Sequence, residues 1–198
     1  MPNGYAPLSP ADTAIVLVDH QPGVLAMVGS LAAPVVTSNA AVLARLGEEM
    51  GLPLLITSTR ENLEFLGTNL PEIQAAAPKA YENRVARAGT LNAFQDPAFV
   101  QAVTALGRPN LVMPGLPTDV CLFNTAVSAV AAGYRVIIPA DASGTTTALA
   151  DAATHDRLRS AGAEVASTYG VLFELYWDLS TPEGHQAEAI AAASVSAS

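Results

Sequence analysis

Apolar side chains along this chain fall into short unbroken blocks that stop at polar or turn-forming residues, with longer Ala-rich stretches between the blocks. The run Thr13-Ala14-Ile15-Val16-Leu17-Val18 is apolar at almost every position, the pattern of a strand covered on both faces, and it stops at Asp19. Comparable blocks at 52–58, 111–113, 134–140 and 163–168 predict further strands. A short extended piece begins at Arg84 and turns irregular at Gly89. Helices are predicted between the strands: 34–50 closed by Gly51, 96–106 with Asp96 as N-cap and Pro97 behind it, 120–132, 147–161, and a short one at 169–179. Residues 60–79 have weak periodicity and scattered Gly67, Pro71 and Pro78, which predicts a long loop with at most a short helix near 71–77. Strands alternating with helices imply an α/β fold, a three-layer Rossmann-like arrangement with a parallel sheet of about six strands and helices on both faces. Residues 1–198 read as one domain, with an N-terminal arm over 1–12 and an Ala/Ser-rich C-terminal tail over 180–198 that lacks a folding signal.

Composition narrows the partners. Nine basic against eighteen acidic side chains leave a net charge of -9, which argues against nucleic acid and against an anionic membrane surface. A small-molecule substrate stays open. No apolar run approaches the ~20 residues of a membrane span. The single cysteine cannot form an internal disulfide, and the first residues lack the basic-then-apolar pattern of a signal peptide, so a reducing cytoplasm is the expected setting. With 51% hydrophobic and only 14% charged residues, apolar surface remains to be covered, and a homo-oligomer is the usual way.

Three strand ends carry candidate chemistry. The segment Leu111-Val112-Met113-Pro114-Gly115-Leu116-Pro117-Thr118-Asp119-Val120-Cys121 ends a buried strand and opens a helix with the cysteine, where backbone N–H groups and the helix dipole are expected to lower a thiol's pKa. A lone cysteine is as readily a small buried hydrophobe. Asp19 lies at the carboxyl end of the first strand, the edge where open parallel sheets bind ligands, although an Asp there also starts turns. Arg87, if it ends its strand, points into the same crevice, and Arg84, three positions earlier, is the other arginine of that segment. His20, Asn92 and Phe123 are candidate substrate-binding residues. No G-x-G-x-x-G or G-x-x-x-x-G-K motif follows any strand, and no cofactor is expected.

Asp19 after I-V-L-V, Arg87 in V-A-R-A-G-T-L-N-A-F, and Cys121 in G-L-P-T-D-V-C, followed by A-x-x-A-x-x-x-G-Y-x-V and D-A-S-G, together resemble the isochorismatase-like cysteine hydrolase family from about residue 13 to 177. The pieces R-A-G-x-x-N-A-F, H-D-R-L-x-x-A-G-A and Y-G-V-L-F-E-L resemble its YcaC-like subgroup of small multimeric hydrolases, which implies an assembly between a dimer and an octamer. The resemblance implies that Cys121 is the nucleophile and Asp19 the general base and acid. The family's third group is usually a lysine, whereas the single lysine here is Lys79 and the position is held by Arg87. Arginine can hold a carboxylate but gives up no proton at working pH, so proton transfer falls to Asp19 alone.

The resemblance further implies a non-proline cis peptide, expected at Pro117-Thr118, and an oxyanion hole built from Pro117, Thr118 and Cys121. Nicotinamidases of the family carry an Asp/His metal cluster after the second strand. Residues 57–62 here hold no histidine, so no metal is expected. Family members acting on isochorismate do so without a cysteine nucleophile. The expected activity is therefore cleavage of a carbon-nitrogen bond, of amide or carbamoyl type, through a Cys121 acyl-enzyme. A catalytically weak or silent oligomer with a binding or stress-related role is the alternative, motivated by Arg87 and the apolar composition.

Overall fold

The computed structural model describes residues 5–195. Its strands are β1 (Thr13–Val18), β2 (Leu54–Thr59), β3 (Val85–Arg87), β4 (Asn110–Val112), β5 (Arg135–Pro139) and β6 (Glu164–Ala166). They form one six-stranded sheet in the order β3-β2-β1-β4-β5-β6, every neighbouring pair parallel. The chain runs outward from β1 to β3, then returns to lay β4 on the other side of β1. The switch point of the sheet therefore lies between β1 and β4, and ligands bind outside the carboxyl ends of strands at such a point.

Helices cover both faces: α1 (Pro22–Leu25), α2 (Ala33–Met50), α3 (Pro71–Ala76), α4 (Pro78–Glu82), α5 (Pro97–Ala105), α6 (Phe123–Ala131), α7 (Ala148–Ser160), α8 (Thr168–Leu175) and α9 (Pro182–Val195). The period-2 geometry of β1 divides its side chains between two cores. Ile15 and Leu17 pack with residues of α2, α8 and α9, while Ala14, Val16 and Val18 pack with residues of α5, α6 and α7. A strand buried on both sides in this way is apolar at nearly every position, which is why its run is broken only by Thr13 at its start. Helix ends follow side-chain chemistry: Asp96 accepts the N–H groups of Ala98 and Phe99 at 2.9 and 3.3 Å, Thr147 accepts that of Ala150, and Gly51 closes α2 at φ 73°.

Two expectations need correcting. The long loop holds its expected short helix, α3, but a second helix, α4, follows where none was expected, each opened by a proline, Pro71 and Pro78. The segment's periodicity is weak because the residues that reach the core, Leu66, Leu70, Ile73 and Ala77, are divided between a loop and two short helices. The C-terminal tail is a helix as far as the described residues go. Ala187, Ile190 and Ala191, at the i, i+3, i+4 spacing of one helix face, are buried in the α2 side of the core, and Tyr169 Oη donates to the Ala191 carbonyl at 2.8 Å. The N-terminal arm is docked by Leu8, which is buried and donates its N–H to Glu174 of α8 at 2.9 Å. The remainder of the arm and tail expectations, residues 1–4 and 196–198, lies outside the described residues. No helix among the described residues is long and apolar enough to cross a membrane.

Candidate active site

Asp19 leaves β1 in the left-handed region, at φ 56°, which Asp tolerates better than most residues. Its N–H donates to the Thr57 carbonyl at 3.1 Å, and its side chain is fully buried. Arg87 ends β3 opposite Thr59, so β2 lies between it and β1. The long side chain bridges that gap: Nε donates to Thr57 Oγ1 at 3.1 Å, Nη1 to the Thr90 carbonyl at 2.6 Å, and Nη2 to both oxygens of the Asp19 carboxylate. Neither side chain of this ion pair is exposed.

Cys121 arrives from the other side of the switch point. After β4 the chain presses against the end of β1, with the Val18 N–H bonded to the Pro114 carbonyl at 3.1 Å and the Leu116 N–H to the Val18 carbonyl at 3.0 Å. A Cβ on Gly115 would stand 2.8 Å from Val18 Cβ, so the close approach needs glycine. The chain then winds through a π-helical turn, Thr118–Leu122, before α6 begins. Such turns often occur at functional sites. Cys121 lies in it, near enough to Asp19 for the carboxylate to act on its thiol. The three residues singled out by sequence thus converge through one carboxylate.

Burial pushes the Asp19 carboxyl above the usual carboxylate range, while the Arg87 guanidinium pulls the other way. Burial and the neighbouring Asp19 charge push the Cys121 thiol up, against a weaker downward pull from Arg87 and Arg60. The expectation of a thiol lowered by a helix N-terminus is therefore reversed. Cys121 is only 3% exposed and faces an anion, and those two effects outweigh the end of the helix. At rest the thiol keeps its proton.

A cavity of about 260 Å³ opens onto Cys121. Val24, Met27, Leu66, Leu91 and Val120 give it apolar walls, and Arg60, Asp119 and Thr145 supply polar groups, the Thr145 hydroxyl donating to Asp119 Oδ1 at 2.6 Å. A larger groove of about 430 Å³ runs along α2, lined by Thr37, Ala41, Arg45 and Glu72 among others, and contains no thiol. The chemistry points to the smaller cavity. Among the described residues no three His, Cys, Asp or Glu side chains come together in a group that could hold a metal ion.

Several candidate residues are placed elsewhere. His20 is fully buried and bonds the Ala142 carbonyl through Nε2 at 2.8 Å, away from the cavity lining, and burial drives its pKa down to about 4. Asn92 caps a short 3-10 turn by accepting the Phe94 N–H and donates to Ser128 Oγ at 2.8 Å, while Phe123 lies under the Arg157 guanidinium, 3.9 Å from its ring centroid. Arg84 pairs with Glu61, at 2.7 Å, rather than with Asp19. In the expected oxyanion hole, Pro117 has no N–H and the Thr118 N–H is already bonded to the Gly144 carbonyl at 2.9 Å, which leaves the Cys121 N–H from that set. The cis bond is Leu116-Pro117, one residue earlier than expected; a bond preceding proline adopts cis far more readily than one preceding threonine.

Sequence reasoning missed Arg60, Asp119 and Leu91 as cavity residues. It also missed Gln21, a buried brace that takes the Thr59 N–H at 2.8 Å and gives its amide to the carbonyls of Thr59 and Gly67. A buried glutamine directly after a strand-end Asp and His is a detectable oddity; the cavity residues had no such signal.

Residues 13–169 match the family model described as the isochorismatase domain. The probable hydrolase YcaC of Escherichia coli is 35% identical over 178 residues, covering 90% of this chain and 84% of that protein. The crystal structure of the E. coli YcaC gene product, described as an octameric hydrolase of unknown specificity, superposes with a TM-score of 0.87 at 33% identity, covering 98% of this chain and 92% of that one. YcaC from Pseudomonas aeruginosa, solved with hexane-2,5-diol and covalent acrylamide, gives a TM-score of 0.86 at 33% identity, covering 94% of this chain and 90% of that one.

Proposed function

Because the chain belongs to the isochorismatase family and is a YcaC-like hydrolase, we propose that it cleaves a carbon-nitrogen bond, of amide or carbamoyl type, in a small molecule through an acyl-enzyme on Cys121. The observation that carries this reading is the buried Arg87–Asp19 ion pair with the Cys121 thiol in its field, at the switch point of the sheet.

In the first half-reaction the sulfur attacks the carbonyl carbon as its proton passes to Asp19. The S–C bond forms, and the oxyanion takes a hydrogen bond from the Cys121 N–H. Collapse breaks the C–N bond, and Asp19 returns the proton to the departing nitrogen. In the second half-reaction Asp19 takes a proton from water as it attacks the thioester, the C–S bond breaks, and the thiol is restored with release of the acid. A carboxylate whose pKa is raised is a stronger base than an ordinary one, which suits this role. Arg87 holds Asp19 in place and keeps its charge without joining the proton transfer.

The covalent acrylamide on the P. aeruginosa relative supports the reading, since acrylamide is an electrophile of the kind that thiolates capture. The octameric E. coli relative supports a homo-oligomer. A silent thiol is the other reading, favoured by the upward shift of Cys121. The deciding experiment exposes the protein to a library of amides and carbamates and follows intact mass: an acyl adduct that maps to Cys121 and vanishes in Cys121→Ser is the expected result. Neither adduct nor turnover across the library would leave the silent reading standing.

A further inference from the structure

Arg60 directly follows β2 and lines the Cys121 cavity. Among the described residues it and Asp19 are the two non-glycine positions with positive φ, here 47°. Left-handed backbone at a long side chain is uncommon and persists where the surroundings hold it. They do so here: the Arg60 N–H donates to the carbonyl of Arg87 at 2.9 Å, and its own carbonyl accepts the Leu63 N–H at 3.0 Å. The aliphatic stem runs beside Gly89, where an added Cβ would stand 3.5 Å from Arg60 Cδ.

The guanidinium, by contrast, has no hydrogen bond or ion pair among the described residues. Arg45, Arg84, Arg87, Arg135 and Arg159 are all ion-paired and Arg157 lies on the Phe123 ring; Arg108, just before β4, is also without an ion pair but is not among the residues that line this cavity. An exposed, unpaired fork of donors on a backbone fixed to β3, at the rim of a cavity whose walls mix apolar side chains with Thr59, Asp119, Thr145 and Thr146, is the arrangement of a group that waits for a ligand. Asp119 lines the same cavity but is not within ion-pair reach of Arg60, and one of its oxygens already takes the Thr145 hydroxyl. An anion would therefore be repelled from the Asp119 side and drawn to the Arg60 side.

We propose that Arg60 binds a carboxylate carried by the substrate, so that the enzyme selects amides or carbamoyl compounds whose body is apolar and whose far end is anionic. This rests on the reading of Cys121 as the reactive nucleophile. The test compares alkylation of Cys121 by iodoacetate and by iodoacetamide, reagents of nearly the same shape that differ in charge, on the full-length protein and on Arg60→Met and Arg60→Lys. The readout is the ratio of the two rates, in which any general change in thiol reactivity cancels. A charge-assisted contact worth about 1.4 kcal/mol corresponds to about tenfold, so the iodoacetate-to-iodoacetamide ratio should fall about tenfold in Arg60→Met and stay within about threefold of wild type in Arg60→Lys. Labelling by both reagents with an unchanged ratio in Arg60→Met would overturn this inference alone. Failure of both reagents to label Cys121 in any of the three proteins would overturn the nucleophile reading and this inference with it.

Discussion

The Asp19 carboxylate is shared by a guanidinium and a thiol, and each partner predicts a different failure. Asp19→Asn should cut turnover by about 100-fold or more, because the amide cannot take the thiol proton. The same change should lower the pKa of Cys121, since the Asp19 charge is what pushes the thiol up besides burial. Alkylation rate against pH reads this directly, and a midpoint that stays or rises would contradict it. For Arg87, a lysine keeps a cation beside Asp19 but cannot remake all the contacts to Thr57 and Thr90, so Arg87→Lys should keep measurable activity. Arg87→Met strands a buried charge and should lose about 100-fold, with a stability cost of about 3 to 5 kcal/mol by urea melts. Equal kinetics for the two would remove the charge from the account. His20 makes a pH prediction. Its folded pKa, lowered to about 4 by burial, lies below the unfolded value of 6.5, so between those values the unfolded chain binds more protons. Stability is then full above about pH 6.5 and is lost as pH falls toward about 4, by about 3 kcal/mol. His20→Gln should flatten that slope in urea titrations at pH 7 and pH 4.5. At this scale the placement of Asp19, Arg87 and Cys121 at one edge was legible, because strand ends in a parallel sheet converge there. The direction of the thiol shift was not, because it depends on which charge the fold brings next to the sulfur.

Elements were legible in proportion to how far their own side chains define their surroundings. β1 is readable to the residue because burial on both faces leaves Thr13 as its one polar position. Asp96 and Thr147 mark helix starts through their own side chains. The π-helical turn at Thr118–Leu122 leaves no mark in the periodicity, since it is a single turn merged with α6. α9 is the instructive miss: its buried face consists of Ala187, Ile190 and Ala191, small contacts that mean nothing until α2 and α8 are there to receive them. Ile190→Ala should therefore destabilise the protein by about 2 to 4 kcal/mol in urea denaturation, whereas an undocked tail would show no change.

Across the whole molecule, the described surface exposes Phe65, Leu149 and Trp177 at 70%, 81% and 80%. Large apolar groups left in water at this level favour association, as does the octameric state of the E. coli relative. Sedimentation at micromolar concentration should give a mass several times the 20.3 kDa of one chain, and a monomer would count against assembly. The parallel order of the sheet was legible from alternation alone, while the assembling surface was not, because scattered exposed residues carry no period. The protonated, buried thiol has a consequence for survival under oxidative stress. Peroxide attacks thiolates, and a sulfenic acid is rescued most simply by a second cysteine nearby, which this chain, with Cys121 alone, does not have. Holding the sulfur discharged until a substrate arrives spares the protein's one oxidisable thiol from damage that it has no internal means of reversing.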